Sequence, residues 1–267
     1  MVMVKALMGK ACAVAILLAA TAALAGCGWF GSKDENASYV EQPVDQLYNR
    51  ALDDLGAANY KEAAKEFEEV DRQHPYSVWA TKAQIMAAFT YYQSNKYDEA
   101  LIALDRFIQL HPGHKDIPYA FYLKALCYYE QISDVRRDQA ITQKALDALA
   151  EVVKRFPESP YARDSRLKVE LTIDHLAGKE MDIGRYYQKN QQYVGAINRY
   201  RTVIERYQTT THVPEALHRL VECYLALGVK SEAKEAAAVL GHNFPGSDWY
   251  ADSFFIITGE DYRFDSK

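Results

Sequence analysis

The feature that most constrains this chain is a pattern that recurs five times between residues 44 and 248. An alanine marks each copy, and an apolar or aromatic residue follows it four and seven positions later in nearly every copy. The markers are Ala63, Ala100, Ala145, Ala196 and Ala233. The i, i+4, i+7 spacing places these side chains on one face of an α-helix. In four of the copies a proline follows five residues after the last of these positions, where it would end the helix.

A second set of positions precedes the markers and predicts a partner helix in each copy. An aromatic residue or aspartate stands nine residues before four of the alanines, and a small or β-branched residue three positions earlier. These pairs are Ala51 with Asp54, Ala88 with Tyr91, Gly184 with Tyr187, and Val221 with Tyr224. Two helices joined by a turn form the 34-residue tetratricopeptide (TPR) pattern. The sequence therefore predicts an all-α fold, an α-solenoid of five TPR helix pairs, with all eight prolines at helix boundaries.

The distances between the markers show where the array is irregular. Successive alanines are 37, 45, 51 and 37 residues apart. Extra residues at 132–139 predict a longer turn inside repeat 3. The segment 160–176 predicts one long helix of about 30 residues running into Asn190. The segment 249–257 is apolar on one side and predicts a C-terminal capping helix, because an uncapped solenoid end would expose core side chains.

The N-terminus has the features of a bacterial lipoprotein signal. Lys5 and Lys10 precede an apolar stretch, and Leu24-Ala25-Gly26-Cys27 resembles a lipobox, in which the chain is cut before a cysteine that is then acylated. We therefore predict a signal peptide at 1–26, a lipidated tether at 27–43, the TPR domain at 44–248 and the capping segment at 249–267. In such lipoproteins Gly28, rather than aspartate, implies the outer membrane and its periplasmic face. The alternatives are an ordinary signal peptide that contains a cysteine, or a short transmembrane helix.

Composition and motif searches exclude several classes of function. The chain has 36 acidic and 31 basic residues, with no run of basic residues, which argues against a nucleic-acid partner. It has no phosphate-binding loop, zinc-protease motif or nucleophile elbow. His111 and His114 flank a Pro-Gly turn without a third ligand, so we predict no metal site there. Cys127 and Cys223 are predicted to be buried free thiols. We expect neither an enzyme nor a cofactor.

The surface positions of the first helices indicate where a TPR array would bind. In TPR proteins these positions line a groove, and in repeats 1 to 3 they are largely aromatic. The predicted peptide-groove residues are Tyr48, Phe89, Tyr92, Tyr119, Tyr122 and Tyr129. The equivalent positions in repeats 4 and 5 are more polar, namely Gly178, Met181, Arg185, Gln188, Lys189, Glu215, His218, Glu222, Leu225 and Ala226. Clustered exposed rings favour peptide binding. The alternative is that the rings pack against a neighbouring helix or the tether.

Several local stretches resemble the BamD family, the TPR lipoproteins of the outer-membrane β-barrel assembly (BAM) complex. They are Tyr97-Asp98-Glu99-Ala100, Leu104-Asp105-Arg106-Phe107-Ile108, Arg155-Phe156-Pro157 and Arg185-Tyr186-Tyr187, followed by Asn198-Arg199. The resemblance implies a lipid-anchored scaffold that binds unfolded β-barrel precursors and couples them to the barrel-forming insertase, through its periplasmic repeat domains, with accessory lipoproteins. We predict that Arg185, Arg199 and Arg206 dock that insertase. The alternatives are a TPR pilot lipoprotein of another envelope machine, such as a secretin ring, and a lipid-anchored enzyme.

Overall fold

A computed structural model describes residues 41–260 of the chain. Within this range there are eleven α-helices and no β-strand. The helices are α1 (Val44–Gly56), α2 (Tyr60–Gln73), α3 (Val78–Gln93), α4 (Tyr97–Leu110), α5 (Ile117–Tyr129), α6 (Ala140–Arg155), α7 (Pro160–Lys189), α8 (Tyr193–Arg206), α9 (Val213–Ala226), α10 (Lys230–Asn243) and α11 (Asp248–Thr258). They belong to one compact unit that begins at Pro43. The predicted signal peptide, Cys27, most of the tether and residues 261–267 lie outside the described residues.

The helices pack in chain order, each against the next, as helix pairs α1–α2 through α9–α10 followed by α11. This arrangement confirms the all-α TPR solenoid with a C-terminal capping helix. The long helix is also confirmed, because α7 has 30 residues and Asn190 is its C-cap. The extra residues of repeat 3 lengthen the turn between α5 and α6, as predicted. None of the helices in residues 41–260 has both the length and the apolar composition needed to cross a membrane.

Four of the five repeats close their helix pair with the same backbone turn. Ala58, Asn95, Gln191 and Gly228 each adopt a positive φ two residues before the second helix. In each turn the next backbone N–H bonds to a carbonyl five residues back, as Asn59 does to Asp54. This is the Schellman motif, which satisfies the last carbonyls of the first helix and reverses the chain. Repeat 3 lacks it in the described chain because its inserted residues make a longer connection.

The core consists of the side chains that the repeat pattern singled out. All five marker alanines are fully buried, and so are Phe67, Leu104, Leu149 and Tyr200, which follow four of them. The marker alanines are small and let the two helices of a pair approach closely. The larger side chains four positions later fill the space between repeats. Cys127 and Cys223 are buried free thiols, as predicted. Burial raises the pKa of both thiols to about 12, so they stay protonated at neutral pH.

Candidate functional site

Six half-buried tyrosines lie close together on α3, α4, α5 and the first half of α7. We call this set the tyrosine surface, and its members are Tyr92, Tyr97, Tyr119, Tyr122, Tyr129 and Tyr161. The ring of Tyr161 stacks on Tyr122, with centroids 5.1 Å apart, and contacts Tyr119 at 5.5 Å. Tyr92 contacts Tyr97 at 6.0 Å. The rings thus form two contact groups, and both groups pack against the same hydrophobic cluster.

Two carboxylates and one lysine hold the polar ends of these rings. The Tyr122 hydroxyl donates to Asp164 Oδ2 at 2.6 Å, and Lys168 Nζ contacts the same carboxylate at 2.9 Å. Lys168 also lies over the Tyr129 ring, 5.4 Å from its centroid. The Tyr92 hydroxyl approaches Glu130 at 3.5 Å. The hydroxyls of Tyr122 and Tyr92 therefore have carboxylate partners, and these contacts hold the two rings in place.

The charge state of the tyrosine surface suits binding rather than catalysis. Burial, with smaller effects of neighbouring charges, raises the pKa of Tyr92 and Tyr119 to about 12. Burial and the hydrogen bond to Asp164 raise the pKa of Tyr122 as well. Burial would raise the pKa of Asp164, but hydrogen bonds from Tyr122 and Lys168 lower it. Tyr92, Tyr119 and Tyr122 are therefore neutral phenols at neutral pH. They can stack on apolar groups and form hydrogen bonds, but they supply neither a nucleophile nor a general base.

The structure brings five of the six predicted groove residues to one hydrophobic cluster and places Tyr48 at another. Tyr92, Tyr119, Tyr122 and Tyr129 belong to the tyrosine surface, and Phe89 packs in the same hydrophobic cluster. Tyr48 instead joins repeats 1 and 2, where its ring contacts Phe67 at 5.5 Å and Trp79 at 4.8 Å. Tyr48 thus follows the alternative in which a ring packs against a neighbouring helix.

Tyr161 was missed by the sequence reading although it is the centre of the ring contacts. It lies at the start of α7, in the stretch inserted before repeat 4. The groove positions of a TPR are numbered from the start of a regular repeat, so a residue in an insertion has no groove position. The sequence signals at Tyr161 are its place directly after Pro160, which marks a helix start, and its position at the end of the stretch from Arg155 that resembles the BamD family.

The equivalent positions of repeats 4 and 5 are occupied by an internal polar network. Arg185 Nη1 contacts both carboxylate oxygens of Glu215 at 3.1 Å. Gln188 and Arg219 each donate to Glu222 at 2.8 Å. Burial alone would raise the pKa of Glu222, but hydrogen bonds from His218, Arg219 and Gln188 outweigh burial and lower it to about 2.

Three of the groove positions in these repeats do not reach the surface. Gly178 and Met181 are buried along α7. His218 is 3% exposed because α11 covers it: the Ser253 hydroxyl lies 2.8 Å from His218 Nδ1, and the Trp249 ring packs against the imidazole at 5.3 Å. The capping helix therefore occupies part of the face that the consensus positions assigned to a ligand.

The three predicted docking arginines divide between two helices. Arg185 lies on α7 and is ion-paired with α9. Arg199 and Arg206 lie seven residues apart on α8, and therefore on the same side of that helix. Arg199 contacts Glu180 at 3.1 Å with 41% of its side chain exposed, and Arg206 is exposed. Arg199 and Arg206 thus form one accessible basic face, which does not include Arg185.

The two loop histidines have contacts of their own. Both pack against the Phe107 ring, with centroids 5.1 and 5.6 Å away, and His111 lies 3.0 Å from Gln84. In residues 41–260 there is no group of three or more His, Cys, Asp or Glu side chains arranged to hold a metal ion. Their contacts join α3 and α4 at the end of repeat 2.

Comparison with known proteins identifies the family. The family model described as outer membrane lipoprotein (YfiO) matches residues 40–240. Outer membrane protein assembly factor BamD of Caulobacter vibrioides is 51% identical over 93% of this chain and 81% of its own. The proteins of that name from Rickettsia prowazekii and Neisseria meningitidis are 45% and 36% identical, over 88% and 84% of this chain and 92% and 88% of their own. The chain therefore belongs to this family of outer membrane lipoproteins, the BamD assembly factors.

Proposed function

We propose that this protein is an outer-membrane protein assembly factor, a lipid-anchored scaffold that binds β-barrel precursors and couples them to the barrel-forming insertase. Family membership and the names of the relatives support the role in assembly. The observation that carries the binding role is the tyrosine surface, where rings from α3, α4, α5 and α7 pack against one hydrophobic cluster and Tyr161 contacts both Tyr119 and Tyr122. Acylated Cys27 would anchor the chain to the periplasmic face of the outer membrane.

The tyrosine surface matches the chemistry of the expected ligand. A typical precursor ends in an aromatic residue, often phenylalanine, after a strand of alternating apolar residues. A terminal ring that joins the stacked pair Tyr122 and Tyr161 gains about 0.5–1.5 kcal/mol for each ring contact beyond the burial of its area. Such contacts give a weak and reversible complex, which suits a scaffold that must release its ligand to another protein.

The basic face of α8 is the proposed docking site for the insertase's periplasmic repeat domains. Arg199 and Arg206 lie on one side of the helix and are accessible. A charged face of this kind mainly speeds association and fixes orientation. Arg185 contributes less directly, since its guanidinium already pairs with Glu215. Accessory lipoproteins are further expected partners. The relatives' names favour this role over a pilot of a secretin ring.

Peptide binding to variants of the tyrosine surface tests the proposed function. Tyr92→Ala combined with Tyr122→Ala removes two of the rings and should weaken binding of a peptide with a C-terminal phenylalanine about tenfold or more. Fluorescence anisotropy measures the affinity, and circular dichroism checks that helicity is retained. Tyr122→Phe should keep most of the affinity, because the ring remains while the hydroxyl bond to Asp164 is lost.

The matched control is Tyr186→Ala, since Tyr186 is a 65% exposed tyrosine on α7 outside the tyrosine surface. Its affinity for the peptide should equal that of the wild type. If the double variant also bound like the wild type while remaining helical, the ligand would have to bind elsewhere.

A further inference from the structure

Three of the large apolar side chains exposed in the first two repeats lie at helix ends or in a turn between helices, and we call these three the apolar edge. Tyr76 is completely exposed, Val78 is 76% exposed and Leu110 is 55% exposed. Tyr76 lies in the turn between α2 and α3, Val78 is the first residue of α3, and Leu110 is the last residue of α4. Single exposed apolar residues are normal, whereas a group at one place indicates a contact surface.

The three side chains share one edge of the helix array. Consecutive helices pack against each other through short turns, so they are antiparallel, and every turn between repeats falls on the same side. Arg106 in the last turns of α4 contacts Asp71 at the end of α2 at 3.1 Å. Gln84 of α3 donates to the same Asp71 at 2.8 Å. The ends of α2 and α4 are therefore neighbours, and they place Tyr76 and Leu110 at the same edge.

The predicted tether joins the domain at this edge as well. Tyr48, in the second turn of α1, contacts Trp79 at 4.8 Å, and Trp79 follows Val78 directly. The other end of α1, at Gly56, is about 20 Å away along the helix. The chain from Cys27 to Pro43 can span at most about 55 Å when fully extended. A lipid on Cys27 would therefore keep the start of the domain, and the apolar edge beside it, within reach of the bilayer.

We propose that the apolar edge rests on the membrane, with Tyr76, Val78 and Leu110 in the headgroup region of the leaflet that holds the anchor. The proposal rests on the lipid anchor of the proposed function. Tyrosine suits this region because its ring is apolar and its hydroxyl reaches water and headgroups. The lipid attaches the protein, and the apolar edge sets its orientation.

Depth-dependent fluorescence quenching tests this orientation. The lipidated full chain is placed in vesicles of phosphatidylethanolamine and phosphatidylglycerol, with an NBD label on Tyr76→Cys or on Leu110→Cys. Cys127 and Cys223 are fully buried with raised pKa values, so only the introduced thiol reacts. Brominated lipids should quench most of the emission at both positions. A label on Ala57→Cys, in the exposed turn at the opposite edge of repeat 1, should keep its emission.

A second set of variants tests whether the apolar side chains cause the orientation. Tyr76→Ser with Val78→Ser should release the label on Leu110→Cys from most of its quenching. Ile102→Ser should leave the quenching unchanged, because Ile102 is 72% exposed but lies in the middle of α4.

Each other outcome is decisive in a different way. Protein that floats with the vesicles but shows no quenching at positions 76 and 110 overturns the proposal and leaves the anchor intact. If the protein does not float with the vesicles, both the lipid anchor and the proposed orientation are wrong. Equal quenching at positions 57, 76 and 110 shows random orientation and also overturns it. If the labels at positions 76 and 110 become shielded from water only when purified insertase is added, the apolar edge binds a protein partner instead of lipid.

Discussion

At the scale of single residues, the close approach of α7 and α8 depends on a glycine that faces a buried ring. A Cβ atom on Gly184 of α7 would lie 2.4 Å from Cε1 of Tyr200 on α8. Tyr200 is fully buried, and its hydroxyl donates to Gln188 Oε1 at 2.8 Å, so the ring has no free direction in which to move. The repeat pattern required only a small residue at this position, and the structure shows why it must be glycine here.

Gly184→Ala should therefore destabilise the protein by about 1–3 kcal/mol, because α7 and α8 must separate or the ring must leave its rotamer. Urea unfolding followed by circular dichroism measures the change. Gly56→Ala is the control, since no atom lies within 4 Å of a Cβ at that position, and it should cause no loss of stability. An equal effect of both changes would contradict the role of the contact with Tyr200, because helix propensity by itself favours alanine over glycine.

A second prediction at this scale concerns pH. Glu222 has a folded pKa of about 2, against an ordinary value of 4.5. A lowered folded pKa stabilises the protein above pH 4.5, and this contribution disappears as the pH falls from about 4.5 to about 2. After allowing for partial solvent screening it amounts to roughly 2 kcal/mol.

Glu222→Gln removes that contribution. The difference in unfolding free energy between wild type and variant should be constant above pH 5 and should shrink as the pH is lowered. Urea unfolding curves between pH 3 and pH 7 check this. A difference that does not change with pH would show that Glu222 is not held in its charged form by Arg219 and Gln188.

At the scale of structural elements, the turn within four of the repeats needs a residue with positive φ, and only one of the four has glycine there. Gly228 adopts its positive φ without steric cost, whereas Ala58 at the equivalent position has φ of 59°. For a residue with a Cβ atom this conformation costs about 1–2 kcal/mol. The sequence pattern does not reveal the cost, because the turn residues vary while the helix positions recur.

Ala58→Gly should stabilise repeat 1 by about 0.5–1 kcal/mol, since the relief of strain exceeds the added freedom of the unfolded chain. Ala57→Gly makes the same chemical change one residue earlier, where φ is −82°, and should be destabilising. Thermal and urea unfolding of both variants measure the two effects. Stabilisation by neither change, or by both, would contradict the assignment of strain to Ala58.

The elements themselves were largely predictable. Their boundaries follow from prolines and from the helical period, which are local properties of the chain, and nearest-neighbour packing turns them into a solenoid. The length of α7 followed from the spacing of markers alone. What the spacing did not show is that the inserted part of α7 brings Tyr161 between Tyr119 and Tyr122.

At the scale of the whole molecule, the proposed ligand site and the proposed docking site use different helices. The tyrosine surface spans repeats 2 to 4, and the basic face lies on α8. A variant in one should therefore leave the other intact.

Arg199→Glu should reduce co-purification of the insertase, more at low salt than at high salt, because exposed charges are screened by ions. Stability should fall by about 1 kcal/mol, as expected for the loss of a partly exposed ion pair with Glu180. Arg201→Glu is the control, because it is an exposed arginine on the same helix, paired with Glu205. Equal recovery of the insertase with Arg199→Glu and with wild type at low salt would place the docking site elsewhere, with α11 as the next candidate.

The sequence by itself determined the helices, their pairing, the buried alanines and the family. All of these depend on periodicity within a repeat and on packing between adjacent repeats, and both are written in short stretches of chain. Only the tertiary structure decided how the surface is used. Tyr161 joins the rings from an insertion, α11 buries His218, and Glu215 neutralises Arg185. Each of these contacts joins residues at least 30 positions apart, so no position within a repeat could encode them.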